Sequence, residues 1–168
     1  LTKTLCKSLA RREPANLGQV LSSVNDEISR ENPTAMFVTA IIGVIDGSSG
    51  EVELCNAGHN PAILLPSTQA PRELDGAGGP PLCIDRGFTY PTQRLRLGDG
   101  DILLLITDGV TEAENGGQAQ FGLGRTLQCL AKDPPSSAAA VCQMLHAEVK
   151  SFTDKAAPSD DLTLLAIR

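Results

Sequence analysis

One apolar run constrains this chain more than any other feature: Ile102-Leu-Leu-Leu-Ile106, five aliphatic residues between Asp101 and Thr107-Asp108. An unbroken run of that length, bounded by charge, reads as a strand buried on both faces. It delivers a carboxylate, Asp108, to the strand's end, with Gly109 behind it and Glu112 four residues on. A second junction of this kind lies near the C-terminus, where Ser159-Asp160-Asp161 leads into an apolar strand over 162–167. If the two strands are antiparallel neighbours, the end of the first and the start of the second share one rim of a sheet. Asp108 and Asp160 then converge. Two carboxylates about 5 Å apart repel by roughly 3 kcal/mol at an effective dielectric near 20. Such a pair calls for a cation, and oxygen ligands suit hard divalent ions such as Mg²⁺ or Mn²⁺. Each junction also has a simpler reading. Asp108-Gly109 fits a plain turn, and Asp160-Asp161 fits acids that solvate a strand start.

Helical periodicity frames the chain at both ends. Leu1, Leu5, Cys6 and Leu9 share a helical face ahead of the basic pair Arg11-Arg12. Pro14 opens a second helix, whose stripe is Leu17, Val20, Leu21, Val24 and Ile28 and whose end lies near Asn32-Pro33. From Met36 the period changes. Residues 36–45 are apolar on both faces and β-branched, which predicts a central strand. After the turn residues 46–50, Glu51–Asn56 alternates, so one face of that strand is expected to be wet. Gly58-His59-Asn60-Pro61 makes a corner before Ala62–Leu65. Loops this short rule out helical crossovers and predict an antiparallel meander.

Residues 66–92, rich in Pro and Gly, predict a loop with one edge strand, after which Leu95 and Leu97 alternate with arginines. Helical stripes return at Phe121, Leu123, Leu127 and Leu130, then at Val141, Leu145, Val149 and Phe152 behind a Ser136-Ser137 cap. Helix pair, strands, helix pair, strand is the order of an α+β fold with a largely antiparallel sheet.

Composition narrows the function classes. A length of 168 residues suits one domain with a useful core. The net charge of −6 and a total of four Phe and one Tyr argue against a nucleic-acid partner, which wants a basic stripe and stacking surfaces. No apolar stretch approaches the roughly 20 residues that span a bilayer, and no signal-peptide pattern is present. Membrane insertion is therefore not expected, and a cytoplasmic location is. Cys6, Cys55, Cys83, Cys129 and Cys142 form no C-x-x-C pair, which argues against zinc and for reduced core thiols. Phosphate-cradling glycine motifs, the Gly-x-Ser-x-Gly elbow and His-Glu-x-x-His are absent. His59 fits either a turn histidine or a site contact, and His146 reads as a surface residue of a helix. Glu112 fits an exposed loop acid or a group acting on a metal through water.

Five segments in order carry a resemblance: Met36-Phe-Val-Thr-Ala40, Asn56-Ala-Gly-His-Asn-Pro61, Thr107-Asp-Gly-Val-Thr-Glu-Ala113, Phe121-Gly122 and Asp160-Asp-Leu-Thr163. Together they resemble the bacterial stage II sporulation E-like branch of the metal-dependent (2C-type, PPM) serine/threonine phosphatases, over nearly the whole chain. The resemblance implies a β-sandwich flanked by helix pairs, with a dinuclear Mn²⁺ or Mg²⁺ centre at one end. It makes Asp108 and Asp160 metal ligands, with Gly109 and Asp161 beside them, and His59 and Glu112 further catalytic-site residues. It implies hydrolysis of phosphoserine or phosphothreonine on a phosphorylated anti-anti-sigma (STAS-domain) protein of a partner-switching pathway. An N-terminal sensor or regulatory domain in the parent protein, acting on the first helix pair, also follows from it. Because the family domain carries Gly-Asp motifs in an upstream section, residues 1–168 are expected to form such a domain without roughly its first quarter. Sheet edges left open in that way favour pairing, and a homodimer is one arrangement they allow. A competing expectation is a phosphatase-fold module with impaired metal chemistry that acts by binding regulatory proteins. A third, a phosphoacceptor domain using Asp108, lacks the alternating parallel βα pattern it would need.

Overall fold

The structure, a computed structural model, describes residues 2–12, 16–30, 32–33, 35–74, 76, 78–132, 137–154 and 160–168, and for residues 10–12 the backbone alone. Expectations placed on Leu1, Pro14, Ser136 and Ser159, and on the side chains of Arg11 and Arg12, lie outside the described residues. The helices are α1 (Thr2–Arg12), α2 (Leu17–Arg30), α3 (Asp108–Thr111), α4 (Gly122–Lys132) and α5 (Ala138–Thr153). The strands are β1 (Ala40–Ile45), β2 (Glu51–Ala57), β3 (Ile63–Leu65), β4 (Arg72–Glu73), β5 (Thr92–Arg96), β6 (Ile102–Ile106) and β7 (Leu164–Ile167). They fall into two compact units, Leu1–His59 with Asp75–Arg96, and Asn60–Leu74 with Leu97–Arg168. Named strands pair only antiparallel, so the α+β class expected from the sequence is the one observed.

In the first unit, the helical stripe of α2 buries Leu17, Val20, Leu21 and Val24. Asn16 starts that helix by accepting the Gln19 amide at 3.0 Å, a side-chain cap for an otherwise orphaned N–H. Leu17, Leu21 and Val24 share a core with Cys55, Ala57, Leu82 and Tyr90. The same helix fastens the loop over 82–90. Fully buried Asn25 accepts the Cys83 amide and donates to the Asp85 carbonyl, both at 2.8 Å. Ser22 Oγ accepts the Tyr90 amide at 3.2 Å, and Asp26 accepts that of Gly87 at 2.8 Å.

Two expectations are corrected here. Among the described residues the sheet order is β1-β2-β5, so the segment expected to be central lies at the edge there, and its strand begins only at Ala40. Met36 and Phe37 stay 68% and 59% exposed. The alternating segment is the central strand instead, with Val52, Leu54, Cys55 and Ala57 buried. Local hydrophobicity reports how apolar a segment is, not which of its flanks finds a partner. β2 takes one partner from its own hairpin (Ala40↔Ala57 through Ile45↔Val52) and the other, β5, from far along the chain. The expected meander therefore stops after two strands. At Gly58 (φ +68°) the chain leaves that sheet, and a Cβ there would lie 2.6 Å from Pro81.

The second unit holds the sheet β4-β3-β6-β7. β6 is internal, as its unbroken apolar run requires, and Ile102, Leu103, Leu104 and Ile106 are buried. One face packs with Val141, Leu145 and Val149 of α5 and with Leu130 of α4. Ser137 caps α5 by accepting the Ala140 amide at 3.1 Å. Phe121 and Phe152 meet edge-on at 5.4 Å. The edge strand expected within 66–92 is β4. Among the described residues, no helix is long and apolar enough to cross a membrane.

Candidate metal centre

The antiparallel register Ile106↔Leu164 brings the end of β6 and the start of β7 to one rim. Asp108 follows that register point and Asp160 precedes it, so the two acid-bearing junctions face each other there. Thr107 joins them. Its hydroxyl donates to the Asp161 carbonyl at 3.1 Å and accepts the Thr163 amide at 3.0 Å, while its own amide donates to the Thr163 carbonyl at 3.2 Å. This explains why β7 begins at Leu164 and not at 162: the Thr163 amide pairs with a side chain. The next contact is tighter still. The carbonyl oxygen of Asp161 lies where a Cβ on Gly109 would have to sit, well inside contact distance.

Asp108 and Asp160 are both solvent-exposed at this rim. Each uses one carboxylate oxygen on the amide that follows it: Gly109 N–H to Asp108 at 3.0 Å, and Asp161 N–H to Asp160 at 2.7 Å. These short loops fix the carboxylates' roots. Hard oxygen donors on a wet rim fit Mg²⁺ or Mn²⁺ in kind. In number they form a partial set, because no group of three or more His, Cys, Asp or Glu able to hold a metal exists among the described residues.

Glu112 ends α3, with its amide donating to the Asp108 carbonyl at 2.7 Å and its side chain exposed. His59 belongs to the other unit. Its backbone is held at the corner after β2 by the Asn56 side chain, which accepts the His59 amide at 2.8 Å and donates to the His59 carbonyl at 2.9 Å. His59 also lines a cavity of about 640 Å³ beside α1 and residues 38–43.

Three of the five thiols are held toward the protonated form. All five cysteines are free, and burial, aided by the Glu53 charge, pushes Cys55 up to about 12. Burial raises Cys6 and Cys129 as well. Such thiols stay protonated and inert at neutral pH.

Sequence reasoning passed over Thr107. Its signal was present, a hydroxyl residue directly before Asp-Gly and another directly after Asp-Asp-Leu, but its meaning depends on the register. It also set His146 aside as a surface residue. His146 is exposed as expected, yet it and Lys150 line a cavity of about 280 Å³ together with Gly109 and Asp160.

The profile of the stage II sporulation protein E (SpoIIE) family matches residues 1–168. Protein IcfG of Synechocystis sp. (strain ATCC 27184 / PCC 6803 / Kazusa) is 31% identical over 144 residues, 85% of this chain and 22% of that protein. The RsbU and RsbW domains of Rv1364c from Mycobacterium tuberculosis superpose with a TM-score of 0.76 at 23% identity, over 98% of this chain and 45% of theirs. The PP2C phosphatase domain of SpoIIE from Bacillus subtilis, solved with a fragment of its regulatory domain, gives 0.79 at 16% identity over 99% and 48%. The chain thus spans about a fifth of that curated relative and under half of these two solved chains. At such identities the structural likeness establishes the fold, which is that of the PP2C-type phosphatase domains.

Proposed function

The chain belongs to the stage II sporulation protein E family, and on that premise we propose that it is part of a metal-dependent phosphatase domain acting on phosphoserine or phosphothreonine of a regulatory protein. The observation that carries the reading is the shared rim, where Thr107 and Gly109 of one acid-bearing junction lock against Asp161 and Thr163 of the other. Asp108 and Asp160 are the proposed ligands of Mn²⁺ or Mg²⁺, with Gly109 and Asp161 setting their spacing. When bound, the cation supplies Lewis-acid neutralisation of phosphoryl charge and an activated water. The chain's own contribution is to anchor the two carboxylates, orient them toward solvent and leave room beside them for the phosphorylated segment. Glu112, tied by its backbone to Asp108, is assigned a water-mediated role. His59 is assigned an accessory one. No side-chain nucleophile enters this chemistry, in keeping with the raised thiols of Cys6, Cys55 and Cys129.

The proposed substrate is a phosphorylated STAS-domain protein, an anti-anti-sigma factor. The joining of an RsbU to an RsbW domain in Rv1364c supports a regulatory setting of that kind. A second reading, a phosphatase-fold module that binds without turning over, is favoured by one observation: the incomplete ligand set among the described residues. Mn²⁺-dependent hydrolysis of p-nitrophenyl phosphate separates the two. The enzyme reading expects turnover that is lost in Asp108→Asn and strongly reduced in Asp160→Asn, with metal content by elemental analysis falling in both. Turnover that survives Asp108→Asn, or metal content unchanged in both variants, removes the proposed ligands. Metal binding without any turnover leaves the binding module.

A further inference from the structure

Beside the acid-bearing rim lies the cavity of about 280 Å³ that Asp160 and Gly109 share with the last turns of α5. Its floor is apolar, formed by Ala113 and Val149, both buried, and by Leu162. Its mouth carries one fixed cation, Lys150, and the Asp160 carboxylate proposed as a metal ligand. His146 and Lys150 stand one helical turn apart on α5, which places them on the same face, and both are exposed. Neither enters an ion pair among the described residues, whose salt bridges are Arg30–Glu27 and Arg94–Glu53. The Lys150 ammonium thus stands at the edge of a pocket that Asp160 also lines, without an ion pair among the described residues.

We propose that this cavity is a subsite for a glutamate side chain flanking the phosphorylated residue of a protein substrate, with Lys150 and His146 as its anion-recognising mouth. The inference rests on the phosphatase reading and names what that site would select. The chemistry favours glutamate over a bare phosphate. A phosphate dianion on an apolar floor would lose its hydration without compensation. A glutamate lays two methylenes on Ala113, Val149 and Leu162 and keeps its carboxylate at the wet mouth beside Lys150, the division of labour long amphipathic side chains adopt. Asp160 lines the subsite and is also one of the two rim acids, so a residue seated here is a near neighbour of the phosphorylated one.

The test uses the full chain with Mn²⁺ and fluorescent phosphoserine peptides carrying one glutamate, or the isosteric glutamine, at each position from −2 to +2. Affinity is read by anisotropy, independently of turnover. At one position the glutamate peptide should bind about three- to fivefold tighter than its glutamine twin, the upper part of the range of an exposed charge pair. Lys150→Glu should reverse that preference, and Lys150→Arg should restore it. A lysine that only complements the helix C-terminus would alter melting temperature and leave peptide selectivity as it was. Equal affinity for the glutamate and glutamine peptides at every position overturns the subsite. Hydrolysis of p-nitrophenyl phosphate, which has no side chain to seat there, tests the parent reading separately. Absent turnover with a persistent glutamate preference would sink the enzyme and keep the subsite, whereas turnover without the preference does the opposite.

Discussion

Gly109 has no room for a side chain because the carbonyl oxygen of Asp161 fills the place its Cβ would take. Two segments over fifty residues apart in sequence thereby touch through backbone, beside the two hydrogen bonds of the Thr107 hydroxyl.

Gly109→Ala should therefore push the 160–162 segment away from Asp108. Overpacking of this kind costs about 1–3 kcal/mol, and the fold should survive it with a lower melting temperature. Mn²⁺-dependent hydrolysis should fall about tenfold or more, with a raised metal requirement. Calorimetry alongside a Mn²⁺ titration of activity checks both parts, and wild-type metal dependence would show that this contact does not set the site.

Thr107→Val removes the hydroxyl that both donates to Asp161 and accepts from Thr163. The rim is wet, so water replaces part of what is lost, and the expected destabilisation is about 1 kcal/mol. Thr107→Ser keeps the hydroxyl and should stay near wild type. Amide exchange at Thr163, faster in the valine variant alone, is the direct measurement.

In the first unit, Asn25→Ala should be strongly destabilising. It removes the buried partner of both the Cys83 amide and the Asp85 carbonyl, at a cost of about 2–3 kcal/mol. Cys83 also holds a positive φ of 72°, a conformation the Asn25 hydrogen bond helps to fix. Urea unfolding checks the magnitude, and a change under 0.5 kcal/mol, ordinary for an unremarkable surface site, would contradict the role.

Asp101 gives a pH dependence whose sign is fixed. Its carboxylate accepts the Ser67 amide at 2.8 Å and the Gly98 amide at 3.0 Å. The Ser67 hydrogen bond leads in holding its pKa below the usual carboxylate range. A depressed folded-state value means that the unfolded chain protonates first as pH falls. The stabilisation is complete above the ordinary carboxylate range near pH 4 and is lost below it, as pH drops through the folded value. Asp101→Asn should melt lower than wild type at pH 7, with the gap closing below about pH 4. Thermal melts across that range decide it.

The fold's local pieces were legible. The α2 stripe, the capped start of α5 at Ser137 and the buried β6 all follow from period and boundary chemistry within a few residues. Strand partnership was legible only in part: β6 pairs with β7 and β1 with β2 as expected, but the remaining neighbours were not foreseen. Residues 36–45 looked central because they are apolar on both faces, yet among the described residues β1 pairs on one side only. β2 looked half-wet, yet it acquired a second partner in β5 from beyond a long loop. The proposed ligands were legible as types, acids at strand junctions. Their number was not, since a coordination shell is a property of space and not of spacing.

From sequence alone came the identity of the strands, the acids at their ends and the family motifs, because each is written within a few consecutive residues. The tertiary structure decided what those acids face. Thr107 meets Asp161 and Thr163, and Gly109 yields its side-chain space to a carbonyl, through contacts that span more than fifty residues. Such contacts depend on the register of β6 against β7, and one residue of slip would turn every side chain on β7 to the other face of the sheet.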